Sequence, residues 1–502
     1  MGGCKVIMNF GLLLRTVLHL QPRQIVYQIK NRLTRAQYVF LPAPEVKGTL
    51  LKTEPVLREH CLEGNVFTFL NLSHEFAGWD YNGYGNLWTY NQNYYDWLNQ
   101  EGITQQEGCK WIDSFIEDVL KIPIQPCMAL DPYPIALRSI NWVKFFCRFP
   151  DCATKVRLDA LYSQVRLLEK KLEYHLLANH LLEDAYALYI GSAYFSDKKL
   201  LNNAKRLLLS QLKEQVLPDG AHYEQSPMYH CILLDRLLDC INIGESLGID
   251  GIQLRNYASR MLGHLESIIW NDGSIPLLND AAYGIAPSPT QLLDYAKRLG
   301  LQWEAIPLKE CGYRVLREKQ MEARVDVGDI TASYQPGHSH ADSLNYELRV
   351  DGKPFIMDTG VSTYEKNERR QLERSSLAHN VVVVSGKDSS EVWGGFRVGR
   401  RCHTTISNSS ENVIEAWHNG FPKPCKRRFE MSDNGFTVED WYDGNAMSYI
   451  HLAEGVDAGR IRVEGASSID ISPWNYSTEY NRFHEGKVVE IQFNNHLKYS
   501  IR

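Results

Sequence analysis

Apolar residues recur at spacings of three and four through most of the first 300 positions, the pattern of helices that bury one face. Five segments carry it most clearly: 156–177, 181–195, 200–216, 228–247 and 252–269. Short breaks made of turn formers separate them, among them Pro218-Asp219-Gly220, residues 248–251 and Asn271-Asp272-Gly273. Helices joined this closely pack as antiparallel hairpins. No exact repeat is present, so the spacing does not distinguish a bundle from a toroid. From about Cys311 the period falls to two. Leu344, Tyr346, Leu348 and Val350 alternate with Asn345, Glu347 and Arg349, which predicts a half-buried strand. Runs at 380–384, 413–417 and 435–441 follow, set apart by Gly, Asp, Asn and Ser turns.

This change of period predicts a multidomain α + β chain. Residues 1–60 form an amino-terminal arm or extra helices, 61–310 a helical domain, and 311–502 an antiparallel β-sandwich. A length of 502 residues exceeds one ordinary core, in keeping with that division.

Composition adds limits. The chain is 44% hydrophobic and 23% charged, as folded proteins are. Its net charge of -6 gives no global attraction to polyanions, so a nucleic-acid partner is not expected and an acidic ligand must meet local cations. The 27 Tyr and 11 Trp suit sugar rings and suit a packed core equally well. The 11 Cys are scattered without a C-x-x-C pair, which predicts free thiols rather than a disulfide framework or a thiolate zinc site. Lys5 opens a short apolar stretch that Asn9 interrupts, and Arg15, His19, Arg23 and Lys30 follow. With no small-residue cleavage site, a cleavable signal peptide is not expected. No uncharged run reaches the roughly 18 residues of a membrane span.

Four polar groups stand out as candidate chemistry. Gly337-His338-Ser339-His340-Ala341-Asp342 precedes a strand, Asp358 follows, and Ala378-His379-Asn380 leads into a valine run. His340, Asp358 and His379 offer two nitrogens and one oxygen for zinc, or a hydrogen-bonded cluster without metal. Asn179-His180 opens an apolar helix, with Glu183 on the same face. Asn179 is either a helix cap or part of a polar constellation at that helix start. In the run from Asp219 to His230, Pro227 marks a helix start, and Tyr223 and Tyr229 are candidate acid/base phenols or packing tyrosines. Arg138, Asn141 and Trp142 share a helical face, fit either to bind a carboxylated sugar or to form a buried patch.

Taken in order, these motifs resemble the heparinase II/III-type polysaccharide lyases. They are Asn179-His180, the D-G-x-x-x-E-x-S-P-x-Y-H run ending at His230, G-H-x-H-A-D at 337–342, and A-H-N at 378–380. Trp88-Thr89-Tyr90-Asn91 and Tyr94-Tyr95-Asp96 add to the likeness, which covers about residues 65–455. The resemblance implies an incomplete (α/α) toroid followed by a β-sandwich, with the active site between them. It implies β-elimination on a uronic-acid glycan. Asn179 would neutralise the sugar carboxylate, with His180, Glu183 and Arg138 as helpers, and Asn141, Trp142, Tyr223 and Glu224 would contact substrate. Tyr229 and His338 would move the protons, and His340, Asp358 and His379 would hold a structural zinc. No organic cofactor is implied.

The Leu20-Gln21-Pro22-Arg23-Gln24 segment is closer to bacterial members associated with surface-polysaccharide production. Family precedent favours the periplasm, whereas the missing signal and unpaired thiols favour the cytosol. Two rival readings are a glycan-binding protein without elimination and a glycoside hydrolase using Glu183 and Glu224.

Overall fold

The computed structural model describes residues 10–34, 36–46, 51–121 and 127–502. Lys5 and Asn9 of the amino-terminal apolar stretch lie outside the described residues. Helices α1 (Phe10–Val17) and α2 (Pro22–Leu33) come first. A small antiparallel sheet follows, of β1 (Leu62–Glu63), β2 (Val66–Phe69) and β3 (Leu72–Glu75). The helical half then runs through α3 (Asn86–Tyr94), α4 (Gln105–Phe115), α5 (Pro132–Arg148), α6 (Lys155–Lys171), α7 (Ala178–Tyr194), α8 (Lys198–Gln215), α9 (Pro227–Ser246), α10 (Ile252–Ile268) and α11 (Pro289–Arg298).

Four of the five predicted helices match α7 to α10 closely. The first overruns: α6 stops at Lys171. Leu172, Leu176 and Leu177 continue the helical spacing, but the chain turns there and Leu177 packs instead with Tyr223, Ala332 and Tyr334. Helix α7 is buried at every position from Leu181 to Tyr194 and packs against α5, α6, α8 and α9. A helix buried on all sides belongs in the centre of its layer, and α7 is there.

The sheet half contains β4 (Tyr313–Glu318), β5 (Met321–Asp326), β6 (Tyr346–Val350), β7 (Lys353–Ile356), α12 (Glu368–Glu373), β8 (Val382–Val383), β9 (Val392–Trp393) and β10 (Arg397–Val398). It continues with β11 (Thr404–Ser409), β12 (Val413–His418), β13 (Cys425–Ser432), β14 (Gly435–Leu452), β15 (Ile461–Glu479) and β16 (Arg482–Ile501). Apart from the β9–β10 pair, these strands form one eleven-stranded antiparallel sheet, with the order β11-β12-β13-β14-β7-β6-β5-β4 and β8, β15 and β16 joined at its side. The sheet folds over on itself. Tyr346 of β6 meets Phe429 and Phe436 with ring centroids 5.5 Å apart, and its hydroxyl lies 3.0 Å from that of Tyr499. One apolar core, from Leu316 to Ile501, fills the space between its two arms.

The predicted strand ending at 441 continues to Leu452. Asp443-Gly444-Asn445 looks like a turn but is a bulge, where the register against β16 shifts between Tyr442 and Asn445. Cys109 and Cys152 are bridged; the other described cysteines are free, and most of them are buried. Among the described residues, no helix is long and apolar enough to cross a membrane.

Candidate active site

Two walls meet at a cleft of about 400 Å³, one from the helical half and one from the sheet half. Helix α9 starts where Pro227 fixes the first turn and the Ser226 hydroxyl accepts the Tyr229 N–H at 3.2 Å. Tyr229, one turn in, faces the cleft. The Asp219-Gly220 turn that precedes it needs glycine. Gly220 has φ +81°, and a Cβ there would sit 2.0 Å from the Arg260 carbonyl oxygen. Asn179 is not the cap of α7; Leu177 is, in a conformation rare for a side chain with Cβ (φ 63°, ψ -150°). The Asn179 amide is thereby free to reach across the seam.

Asn179 Nδ2 donates to both carboxylate oxygens of Glu224, at 3.1 and 2.9 Å, and lies 3.4 Å from Nε2 of His338. The His338 ring stacks on that of Tyr229 with centroids 3.9 Å apart. Its Nδ1 is 2.9 Å from Oδ2 of Asp280. The Asp280 carboxylate places a proton on Nδ1, while Nε2 lies toward the Asn179 amide and 3.5 Å from Oε2 of Glu224. Tyr364 extends the group, its hydroxyl 3.5 Å from both the Tyr229 hydroxyl and His338 Nδ1. The three residues singled out for chemistry, Asn179, Tyr229 and His338, thus share one cleft.

Asp280 anchors the sheet wall. Besides His338 it takes His340 Nε2 at 2.8 Å and two Arg370 nitrogens at 2.5 and 2.7 Å, all with negligible exposure. Burial favours its neutral form, but Arg370 and the two imidazoles outweigh this and hold the carboxyl well below its usual range. Burial dominates at Tyr229 and raises its phenol above the ordinary value, with Asp280 and Glu224 adding to the effect.

The other expected contacts divide. His180 and Glu224 line the cleft. His180 bonds Glu173 at 3.0 Å and meets the Tyr133 ring edge-on. Glu183 and Tyr223 do not line it. Glu183 is wholly buried behind the wall, 3.8 Å from Arg236, and burial pushes its carboxyl up to about 7. Tyr223 is turned to the Tyr334 hydroxyl at 2.7 Å.

Arg138, Asn141 and Trp142 are corrected outright. All three are buried in the helical core. Arg138 donates to Gln164, Asn93 and Ala129, and Asn141 to Tyr94 and Asp96. Helical spacing identified a shared polar face; that face satisfies carbonyls of the core.

Several lining residues carry no local motif, namely Tyr364, Tyr480, Phe396, Arg58 and Arg236, and neither does the buried Asp280 behind His338. Arg58 pairs with Asp96 at 3.4 Å, and Arg236 is ringed by Asp96, Glu183, Asp235 and Asp239. The aromatic wealth of the sequence was the available signal for this lining.

Beneath the loop of His338 lies a second polar cluster. Asp342, Asp358 and His379 bring ligand atoms within 4.8 Å of one another. His340, expected as a ligand beside Asp358 and His379, is not one of this trio; its Nε2 bonds Asp280, while its Nδ1 has no partner. Asp342 stands there instead. Buried atoms without partners, Asp342 Oδ2, His379 Nε2 and His340 Nδ1, fit a cation with mixed nitrogen and oxygen ligands. Another buried trio, Asp219, His264 and Cys311, meets the same spacing. The Asp219 carboxylate there accepts the backbone N–H groups of Lys309 and Cys311, tying the D-G turn to the start of the sheet half.

Comparison with known proteins identifies the family and the fold. Residues 148–295 match the family model described as the heparinase II/III N-terminus, and residues 301–469 match the heparinase II/III-like C-terminal model. A heparin-sulfate lyase of Pedobacter heparinus is 24% identical over 209 residues, 36% of this chain and 31% of the relative. One from Bacteroides stercoris is 22% identical over 249 residues, 43% of this chain and 37% of the relative. The matched part therefore spans about a third of the length of these two relatives. In fold, the chain is similar to a crystal structure of heparinase III, with TM-score 0.63 and 15% identity over 84% of this chain and 79% of that one. It is also similar to the heparan sulfate lyase HepC of Pedobacter heparinus, with TM-score 0.54 and 14% identity over 95% and 87% of the two chains.

Proposed function

We propose that this chain, which belongs to the heparinase II/III-like family, is a polysaccharide lyase that cleaves a uronic-acid glycan by β-elimination. The observation that carries this reading is the stacked pair of Tyr229 and His338 beside the Asn179 amide. Binding alone requires no two proton-handling groups in contact. Hydrolysis requires two opposed carboxylates at the sugar, and Glu183, one of the pair expected for it, lies behind the wall.

In the proposed step, His338 Nε2 takes the C5 proton. The C5–H electron pair becomes the C4–C5 double bond, the C4–O bond breaks, and the Tyr229 hydroxyl gives its proton to the departing oxygen. Asp280 supports the first role by holding Nδ1, which orients the ring with Nε2 toward the Asn179 amide. The raised phenol supports the second, since Tyr229 keeps its proton at neutral pH. The Asn179 amide, its plane fixed by Glu224, is placed to hydrogen-bond the sugar carboxylate as charge builds there, with Arg58 adding positive charge at the rim.

Asp342, Asp358 and His379, with His340 adjoining, would hold a structural zinc that stiffens the loop of His338. Zinc co-purifying at one equivalent and falling away in Asp358→Ala, measured by elemental analysis, is the expected result.

The relatives named as heparin-sulfate lyases make sulfated uronic-acid glycans the first substrates to try, with bacterial surface polysaccharides next. Elimination leaves unsaturated, ultraviolet-absorbing ends, whereas hydrolysis leaves reducing ends without that absorbance. Tyr229→Phe should lower kcat about 10²-fold or more with an unchanged circular dichroism spectrum. Near-normal turnover in that variant would reject the role given to Tyr229.

A further inference from the structure

We propose that α1 and α2 form a platform that adsorbs to the surface of an anionic phospholipid bilayer. Among the described residues, more than half of the exposed large apolar side chains lie between Phe10 and Phe40. They follow a helical stripe. Phe10, Leu14 and Leu18 are 75, 49 and 73% exposed, and Ile25, Ile29 and Leu33 are 40, 54 and 79% exposed, each set at steps of four. Val17 and Val26 widen the two stripes. A run of this size, left open to water at one end of a chain with a well-filled core, marks a surface that is covered by something.

Charge points to the occupant. No acidic residue precedes Glu45, whereas Lys5, Arg15, Arg23, Lys30, Arg32 and Arg35 do. The arm therefore carries +6, and the rest of the chain, to reach the overall -6, carries -12. Lys30 and Arg32 sit exposed in the last turn of α2 and flank Ile29 and Leu33. Cations bordering an apolar stripe, as on α2, match helices that lie flat at a lipid interface. A second copy presenting the same face would bring like charges together, which disfavours a symmetric pairing.

The opposite faces are anchored, so the apolar stripe is held outward. Arg15 pairs with Glu391 at 2.8 Å, and Thr16 Oγ1 accepts the Trp393 indole N–H at 3.0 Å. In α2, Gln24 Nε2 donates to the carbonyls of Leu176 and Tyr334, and Tyr27 packs on Tyr174 with centroids 4.7 Å apart. Leu176 also lines the cleft, so the platform sits at its rim and an adsorbed enzyme would act on glycan close to the bilayer.

The test is co-sedimentation of the full chain with phosphatidylcholine vesicles, with and without phosphatidylglycerol. Binding to the anionic vesicles is expected, weakening as salt rises. Leu14→Glu with Ile29→Glu should reduce it about tenfold or more, as should Lys30→Glu with Arg32→Glu, without moving the thermal melt, since all four side chains are exposed. Absence of binding to anionic vesicles overturns the proposal, and so does equal binding to pure phosphatidylcholine. A dimer in light scattering that Leu14→Glu with Ile29→Glu splits would also overturn it, because a second copy would then cover the stripe.

Discussion

Asp280 joins more of the cleft than any residue with a recognisable motif. One carboxylate orients His338 through Nδ1, takes His340 Nε2 and neutralises Arg370. Asp280→Asn would leave the Arg370 guanidinium buried without its counter-charge, a change of the kind that costs about 3–5 kcal/mol. It would also allow the other His338 tautomer. Urea unfolding should show the stability loss, and turnover measured where the variant remains folded should fall about 10²-fold or more. Neither Asp280 nor Arg370 was legible in the sequence, because their contacts reach across 58 and 90 positions and neither has a local pattern. His338, His340 and His379 were legible as a group because each sits in a dense polar knot beside an apolar strand. Arg138 was misread for a related reason: spacing shows that residues share a helical face but not what that face meets.

At the scale of elements, periodicity located α7 to α10 almost to the residue and failed where local chemistry imitated something else. Leu172 to Leu177 kept the apolar spacing while the chain turned, and Asp443-Gly444-Asn445 imitated a turn inside a long strand. The start of α9 was signalled by Ser226-Pro227, and the structure gives that signal a function. The Ser226 hydroxyl caps the turn that carries Tyr229, and it also donates to the Asp280 carbonyl at 2.6 Å. Ser226→Ala removes both bonds, so chemical denaturation should report about 1–2 kcal/mol of lost stability. Because the same hydroxyl links the α9 start to the Asp280 segment, kcat should fall in parallel through displacement of Tyr229.

Across the whole molecule, the helical wall rests on a set of charges, of which Glu183, Arg236, Asp235, Asp239 and Lys144 are buried and Asp96 is half-buried at the cleft. Glu183 has the clearest consequence. Burial raises its carboxyl from 4.5 to about 7, against the opposing pull of Arg236. Between those values the folded chain holds a proton that the unfolded chain has released. Its contribution is therefore complete below about pH 4.5 and is lost as pH rises through about 7. Glu183→Gln should flatten that segment of the stability–pH curve, with a difference from the parent of up to about 3 kcal/mol above neutrality. Denaturant titrations at several pH values measure it.

At the rim, the Gln24 side chain bridges the two walls. Gln24 donates to Leu176 on the helical side and to Tyr334 on the sheet side, at 3.2 and 3.5 Å. Two neutral hydrogen bonds of that length are weak, each worth about 1 kcal/mol or less. The same Tyr334 also meets the Tyr223 hydroxyl at 2.7 Å and packs with Leu177, so this corner is pinned at several points and forms the firm edge of the mouth.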